Sequence, residues 1–235
     1  MEKQRLDRFI ANQTGISRSV VRTTIRRGYA IVDGVRTRDP SVQIYPEKSV
    51  IEYDHKRIEY KKHLYLIMNK PEGVLSASED KNRQTVVDLV PDGLKRNTLF
   101  PVGRLDRDTT GLLIITDDGE FAHNCISPTK NIEKRYSVVL DGDVSEDMIK
   151  KFANGVTLAD GTPCRAAKLI RTGENRADII ITEGRYHQVK RMFGTVGLGV
   201  EKLKRVSVGE LELPPNLAEG DCHEMTETEI LQALK

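Results

Sequence analysis

Three cysteines in 235 residues, Cys125, Cys164 and Cys222, are too few and too scattered for a disulfide framework. No Cys-x-x-Cys pair is present, which removes the usual zinc spacing, and no metal ligand set is expected. No apolar run approaches the roughly 18–20 residues that span a bilayer, so no membrane partner is expected. The opening Met-Glu-Lys-Gln-Arg lacks the apolar stretch of a secretory signal, and a cytoplasmic location follows as the expectation. A Gly-x-Gly-x-x-Gly turn, an internal repeat and a low-complexity tract are also missing. Net charge of one sign is lacking too, at +2 overall.

What is present is an ordinary folded composition, 38% hydrophobic and 31% charged, long enough for one large domain or for a small and a medium one. The charge is unevenly spread. Residues 1–38 carry nine Lys/Arg against three acids, residues 185–205 six against one, and residues 206–235 one against seven. Two basic blocks offset by an acidic tail suit a polyanion-binding protein, and a mixed solvated surface is the alternative.

The first forty residues form a unit. Leu6, Phe9 and Ile10 have helical spacing, as do Val20, Val21, Thr24 and Ile25, with Ser17 as N-cap and Gly28 as C-cap of the second helix. Residues 30–35 read as a strand entering an Asp-Gly turn, 50–53 as a further strand, and the charged stretch 54–63 as a linker. Beyond it the texture changes. Strands are expected at 64–68, 111–116, 136–140, 165–170, 177–182 and 206–213, and helices at 85–90, 119–125, 145–154, 187–196 and 226–234, the last with a Thr226–Glu229 capping box. Without a regular βαβ rhythm this predicts an α+β fold: a small α/β domain over 1–60, then a domain over 63–235 with a mainly antiparallel mixed sheet flanked by helices.

Arg18, Arg22 and Arg26 recur every fourth residue and so share one helix face. Like charges at this spacing weaken an isolated helix by roughly 0.2–0.5 kcal/mol per pair, so helix stability gives no reason for the stripe, whereas a phosphate backbone does. A solvated face is again the alternative. Arg5-Leu6-Asp7-Arg8-Phe9-Ile10, Ser17-Arg18-Ser19-Val20-Val21, Ile25-Arg26-Arg27-Gly28 and Val32-Asp33-Gly34 together resemble the ribosomal protein S4-like RNA-binding domain. That resemblance implies RNA binding and no chemistry.

The most specific stretch runs from Gly103 to Gly119, where Asp106 lies between Arg104 and Arg107 just before an apolar strand that closes on Asp118-Gly119. On its chemistry alone this is either a functional carboxylate in a loop held by a rigid strand or a set of loop caps neutralised by arginines. Three further segments, one before this stretch and two after it, stand in a characteristic order: Asn69-Lys70-Pro71-Glu72-Gly73-Val74, Glu133-Lys134-Arg135-Tyr136 and Glu183-Gly184-Arg185-Tyr186-His187-Gln188-Val189-Lys190-Arg191-Met192-Phe193. With them the chain resembles the RsuA-like pseudouridine synthases, the type that modifies RNA of the small ribosomal subunit.

The resemblance implies an isomerase that moves uracil from an N-glycosidic to a C-glycosidic bond. The reaction gains and loses no atoms and so calls for no cofactor. It assigns the nucleophilic carboxylate to Asp106, an active-site tyrosine to Tyr136, and a basic partner of the aspartate to Lys190. Arg104 would fill the space left by the extruded uridine, at a cost of a few kcal/mol for extrusion. Leu203 would pack on the uracil, Arg191 would touch phosphate, and Arg18, Arg22 and Arg26 would bind RNA. His187 is expected to make a structural hydrogen bond, and Cys125 and Cys164 to be packing residues. The motif detail, Ser76-Ala77-Ser78 with Asp80 included, points to 16S ribosomal RNA, either free or within an assembling ribosomal particle, as partner of a monomer. Rival readings are a 23S RNA synthase, a non-catalytic assembly factor and a nucleoside hydrolase. The assembly factor would need no nucleophile, and the hydrolase would need a second carboxylate in register.

Overall fold

The computed structural model describes residues 2–235. The chain forms two compact units, one of residues up to 64 together with 90–99, the other of residues 65–89 together with 100–235. The return of 90–99 to the first unit is a feature that a division at residues 60–63 did not anticipate.

In the first unit β1 (Gln4–Arg5) leads into α1 (Leu6–Thr14) and α2 (Arg18–Arg26), followed by β2 (Ala30–Val32), β3 (Val35–Thr37), β4 (Gln43–Ile44), β5 (Ile51–Tyr53) and β6 (Lys56–Ile58). Four of these strands make an antiparallel sheet in the order β3-β2-β5-β6, and β1 pairs with β4. Leu6, Phe9 and Ile10 of α1 and Val21 and Ile25 of α2 bury their apolar stripes with Ile44 and Ile51. Asp33 and Gly34, both with positive φ, turn β2 into β3 as the Asp-Gly pair predicts. The expected linker 54–63 is corrected in part. Asp54 and His55, at φ 48° and 63°, make a tight turn, and β6 pairs back on β5 with Ile58 against the core. Its charged residues face solvent, which is why the stretch reads as a linker. Gly28 follows the helix, and Arg27 is the residue at its C-cap.

The basic stripe of α2 has a structural partner that spacing does not reveal. Asp7 is fully buried, and its carboxylate takes hydrogen bonds from Arg5 and from Arg18 at 2.9 Å, with Arg22 at 3.9 Å. Two of the three stripe arginines therefore contribute to the fold of this unit, while Arg26 stays exposed.

The second unit contains β7 (Tyr65–Lys70), β8 (Phe100–Pro101), β9 (Thr109–Thr116), α3 (Gly119–Ile126), β10 (Lys134–Leu140), α4 (Glu146–Ala153), β11 (Lys168–Gly173) and β12 (Arg176–Ile181). It continues with α5 (Gln188–Gly194), β13 (Val200–Val208), β14 (Leu211–Glu212), β15 (Cys222–Glu224) and α6 (Glu227–Gln232), whose capping box is present. The sheet order is β11-β12-β10-β13-β9-β7-β15, with β14 on β13 and β8 on β9. Pairing is antiparallel except at β13 and β9, which run parallel. The α+β class with a mainly antiparallel mixed sheet is thus what the chain adopts. Among the described residues no helix is long and apolar enough to cross a membrane.

Two expectations change here, at 85–90 and at 206–213. Residues 85–90 form a turn rather than a helix, because Asp88 accepts from the Thr85 backbone and hydroxyl and Pro91 disfavours helix at the residue before it. Where the strand closes at Asp118-Gly119 the expected helix follows, and Asp118 caps it by accepting from the amides of Glu120 and Phe121. The strand expected at 206–213 is the end of β13 and the short hairpin to β14.

At pH 7 the Asp7 cluster stabilises the first unit. Burial pushes the Asp7 carboxyl up, but hydrogen bonds from Arg5 and Arg18 outweigh it and bring its pKa down to about 2. A pKa depressed on folding adds stability above the unfolded value near 4, and that stability is lost as pH falls towards 2. Asp7→Asn is expected to cost about 2 kcal/mol at pH 7, with the gap to the parent closing between pH 4 and pH 2 in thermal melts.

Candidate active site

The loop before β9 holds Asp106, and the preceding segment clamps that loop. Lys70, at the end of β7, is fully buried and its ammonium donates to the carbonyls of Pro71 and Thr109 at 3.0 Å and of Arg107 at 3.4 Å. Burial draws its pKa down to about 8, against the pull of Asp108, Asp106 and Glu72. The Gly73 amide donates to the Arg107 carbonyl, and the Arg107 side chain returns a bond to the Gly73 carbonyl. Ser76 donates to the Leu105 carbonyl at 2.8 Å and accepts from the Leu105 amide at 3.1 Å. Two segments thus fix each other's backbone around the carboxylate.

β9 also carries the loop to its place beside β13. Leu203 is level with Thr109 and Arg205 with Gly111 in the parallel pair. Gly111 has φ 101°, and a Cβ there would lie 2.2 Å from the Arg205 carbonyl oxygen. No side chain fits at that contact.

Asp106 opens onto a cavity of about 440 Å³ whose lining includes Arg104, Tyr136, His187, Leu203 and Arg205. Tyr136 and Leu203 are buried in its wall, and among the described residues the Tyr136 hydroxyl has no hydrogen-bond partner. Arg104 is exposed at the mouth. A second, more open depression shares Arg104, Asp106, Tyr186 and His187 and adds Arg83 and Arg107. The structure therefore brings Asp106, Arg104, Tyr136 and Leu203 together, as their motifs imply.

The partner of Asp106 is different from the one expected. His187 lies with its Nε2 3.4 Å from an Asp106 oxygen, while Lys190 donates to Asp108 at 2.5 Å. That hydrogen bond holds the Asp108 carboxyl below the usual carboxylate range. His187 reaches Asp106 from a left-handed backbone, φ 49°, at the N-cap of α5. Such a conformation needs support, and the residues around it provide it. Glu183 accepts from Gln188 at 2.7 Å, and the Gln188 side-chain oxygen accepts from the Arg185 amide.

Arg191 is bound by Asp160 and does not line the cavity. Cys125 does line it, but burial pushes the thiol up to about 12, so it is no nucleophile. Among the described residues no three His, Cys, Asp or Glu side chains are grouped to hold a metal ion.

Sequence reasoning missed several residues at this site. Tyr186 is 72% exposed and stacks on His187 with ring centroids 3.9 Å apart, presenting an aromatic face at the mouth. Lys70, Lys134 and Arg205 carry no role that their sequence neighbours suggest. A lysine at the end of an apolar run is the one signal that marks Lys70.

Because Asp108 is 62% exposed and Lys190 22%, their pair behaves as a surface pair. Lys190→Met is expected to cost no more than about 1 kcal/mol in denaturant unfolding. A loss of about 3–5 kcal/mol would instead be that of a buried pair with Asp106.

An RNA pseudouridylate synthase family model matches residues 64–195, more than half of the chain. The ribosomal small subunit pseudouridine synthase A of Escherichia coli (strain K12) is 38% identical over 229 residues, covering 96% of this chain and 98% of that one. An uncharacterized RNA pseudouridine synthase of Bacillus subtilis (strain 168), YtzG, is 40% identical over 230 residues and 96% of each chain. A crystal structure of a pseudouridylate synthase superposes with a TM-score of 0.68 at 34% identity, covering 97% of this chain and 99% of that one. A carboxylate clamped before a rigid strand, opening on a cavity with a tyrosine and a leucine in its wall, fits that likeness, and the chain belongs to the RNA pseudouridine synthase family.

Proposed function

We propose that this pseudouridine synthase acts on a uridine of 16S ribosomal RNA, with Asp106 as the nucleophile. The observation that carries the chemistry is the position of Asp106 at the mouth of a cavity large enough for a base, with Tyr136 and Leu203 in its wall. The choice of 16S RNA rests on the name of the Escherichia coli relative, together with the Ser76 and Arg185-Tyr186-His187-Gln188 motifs that hold the Asp106 loop and its histidine.

In this reading the extruded uracil lies against Tyr136 and Leu203, and Arg104 takes its place in the RNA. Lys190 acts on the loop through Asp108. Residues 1–60 serve as an S4-like RNA-binding arm of a catalytic domain over 63–235, with Arg18, Arg22 and Arg26 towards phosphates. Arg191 has Asp160 as a competing partner, which makes it the weakest of the phosphate ligands. The protein works as a cytoplasmic monomer on RNA of the assembling small ribosomal particle.

The arm is tested by salt dependence. Arg26 has no acidic partner among the described residues, so Arg26→Ala removes a phosphate contact without disturbing Asp7. It should lower the slope of log K against log[salt] by about 0.7–0.9, and the triple Arg18, Arg22, Arg26→Ala change should lower it by about 2–3. An unchanged slope in filter binding would mean that the stripe does not meet phosphate.

Asp106→Asn should abolish pseudouridine formation and leave RNA affinity and the thermal melt close to those of the parent. Asn keeps the size of Asp but has no anionic oxygen to attack carbon or remove a proton. Asp108→Asn makes the same charge change two residues away and should keep measurable turnover. Pseudouridine mapping on 16S and 23S RNA reads both the residue and the substrate. Near-normal activity in Asp106→Asn would defeat the assignment, and modification confined to 23S RNA would defeat the choice of RNA.

A further inference from the structure

Past Asp106 the cavity runs inward along one face of β10 and β13. Alternation on β10 places Lys134 and Tyr136 on the same face, and Tyr136 and Val138 are the cross-strand partners of Arg205 and Leu203 on β13. Lys134, Tyr136, Leu203 and Arg205 all line the cavity, and each is more than nine-tenths buried. The remaining inner wall is largely apolar, with Val102, Ile114, Ile181 and Val208.

Two of these four side chains are cations. The Arg205 Nε donates to the Leu112 carbonyl at 2.7 Å and the Lys134 Nζ to the Ile132 carbonyl at 2.8 Å. Among the described residues neither has a carboxylate partner. Burial and then the nearby Arg205 charge draw the Lys134 pKa down to about 8, with only Cys125 pulling the other way. Two neighbouring buried cations with no acid between them work against folding. Stability gives no reason for them. An anion in the cavity does.

We infer that Lys134, with Arg205 behind it, holds the negative charge that builds on the uracil oxygens while the base is detached, and so is a further catalytic residue of the isomerisation. The C1′–N1 bond breaks with its electron pair staying on the base, which becomes an anion shared over N1, O2 and O4. Asp106 compensates at the ribose, either by bonding to C1′ or by removing a ribose proton. C5 then bonds to C1′, displacing the Asp106 ester or restoring the ribose proton, after which C5 loses its proton and N1 gains one. Atoms and electrons balance with no co-reactant. If Asp106 adds to C6 of the base instead, the charge gathers on O4, and the same ammonium meets it. Fixed donors in a water-poor pocket act most strongly on charge that develops during the reaction.

The inference rests on Asp106 being the reacting carboxylate. Its test uses the full chain with 16S and 23S RNA tritiated at uridine C5, whose tritium release reads loss of the C5 proton. Lys134→Met should lower kcat about 100- to 1,000-fold. RNA affinity should stay within about twofold, as expected of a residue that meets only the extruded base. The melting temperature should hold or rise, because an unpaired charge leaves the interior. Lys134→Arg should recover part of the turnover. A kcat within threefold of the parent in Lys134→Met overturns the inference. So does a joint fall of turnover, RNA affinity and melting temperature in both Lys134→Met and Lys134→Gln, which would make the lysine structural. Asp106→Asn in the same assay separates the two readings. If it is active, the carboxylate assignment fails; if it is inactive while Lys134→Met is normal, only the charge-holding role fails.

Discussion

The site depends on how closely β9 and β13 approach each other. At Gly111 the two backbones leave no room for a Cβ, and the strands run parallel there although their neighbours run antiparallel. This contact joins β7, β8, β9 and β15 to the strands from β10 to β13. It brings a loop from one set, with Asp106, against side chains from the other, Tyr136, Leu203 and Arg205. A wider spacing would preserve the elements and lose the cavity wall. The Lys70 ammonium then fixes the loop by its backbone carbonyls, so the position of Asp106 is set without engaging its carboxylate.

Charge in this unit is arranged by depth. At the surface, ammonium and guanidinium groups meet acids, as in Lys190 with Asp108 and Arg191 with Asp160. Deeper, Lys70, Lys134 and Arg205 donate, among the described residues, only to backbone carbonyls. Carbonyl dipoles satisfy donors without cancelling a full charge, so the interior beneath Asp106 stays electropositive. That distinguishes it from the first unit, where a buried acid, Asp7, is ringed by arginines and the arrangement serves the fold.

Much of this was legible in the residues. Period-two and helical patterns located the long elements, because β9, β10, β12 and α4 bury one face or both against a core and their apolar residues say so. Asp106, Tyr136 and Leu203 were legible through motifs. What was not legible depends on contacts between distant segments. Two-residue strands such as β8 carry too few residues for a period, and the charged strand β6 is recognisable only from the turn that folds it back. The ring around Asp7 is invisible in the spacing of Arg18 and Arg22, since the buried acid lies on another helix. Lys190 was matched to the wrong acid for a similar reason. Asp106 and Asp108 are two residues apart in the same loop, and which of them faces α5 is decided by the backbone turn.

That exchange of partners bears on reactivity. A carboxylate in a tight ion pair has a lone pair committed to its cation, and attack on carbon must first loosen the pair. Asp108 takes the Lys190 ammonium, and Asp106 keeps a 3.4 Å approach to one His187 nitrogen at a single oxygen. Its other oxygen is free of protein partners among the described residues, and Asp106 lines the cavity. His187 is held there from a left-handed backbone that the hydrogen bonds of Glu183 and Gln188 support. The imidazole approaches Asp106 from one side, while Asp108, Lys190 and Lys70 hold the loop. The residues that hold the loop are thus separate from Asp106, which stays both well placed and available.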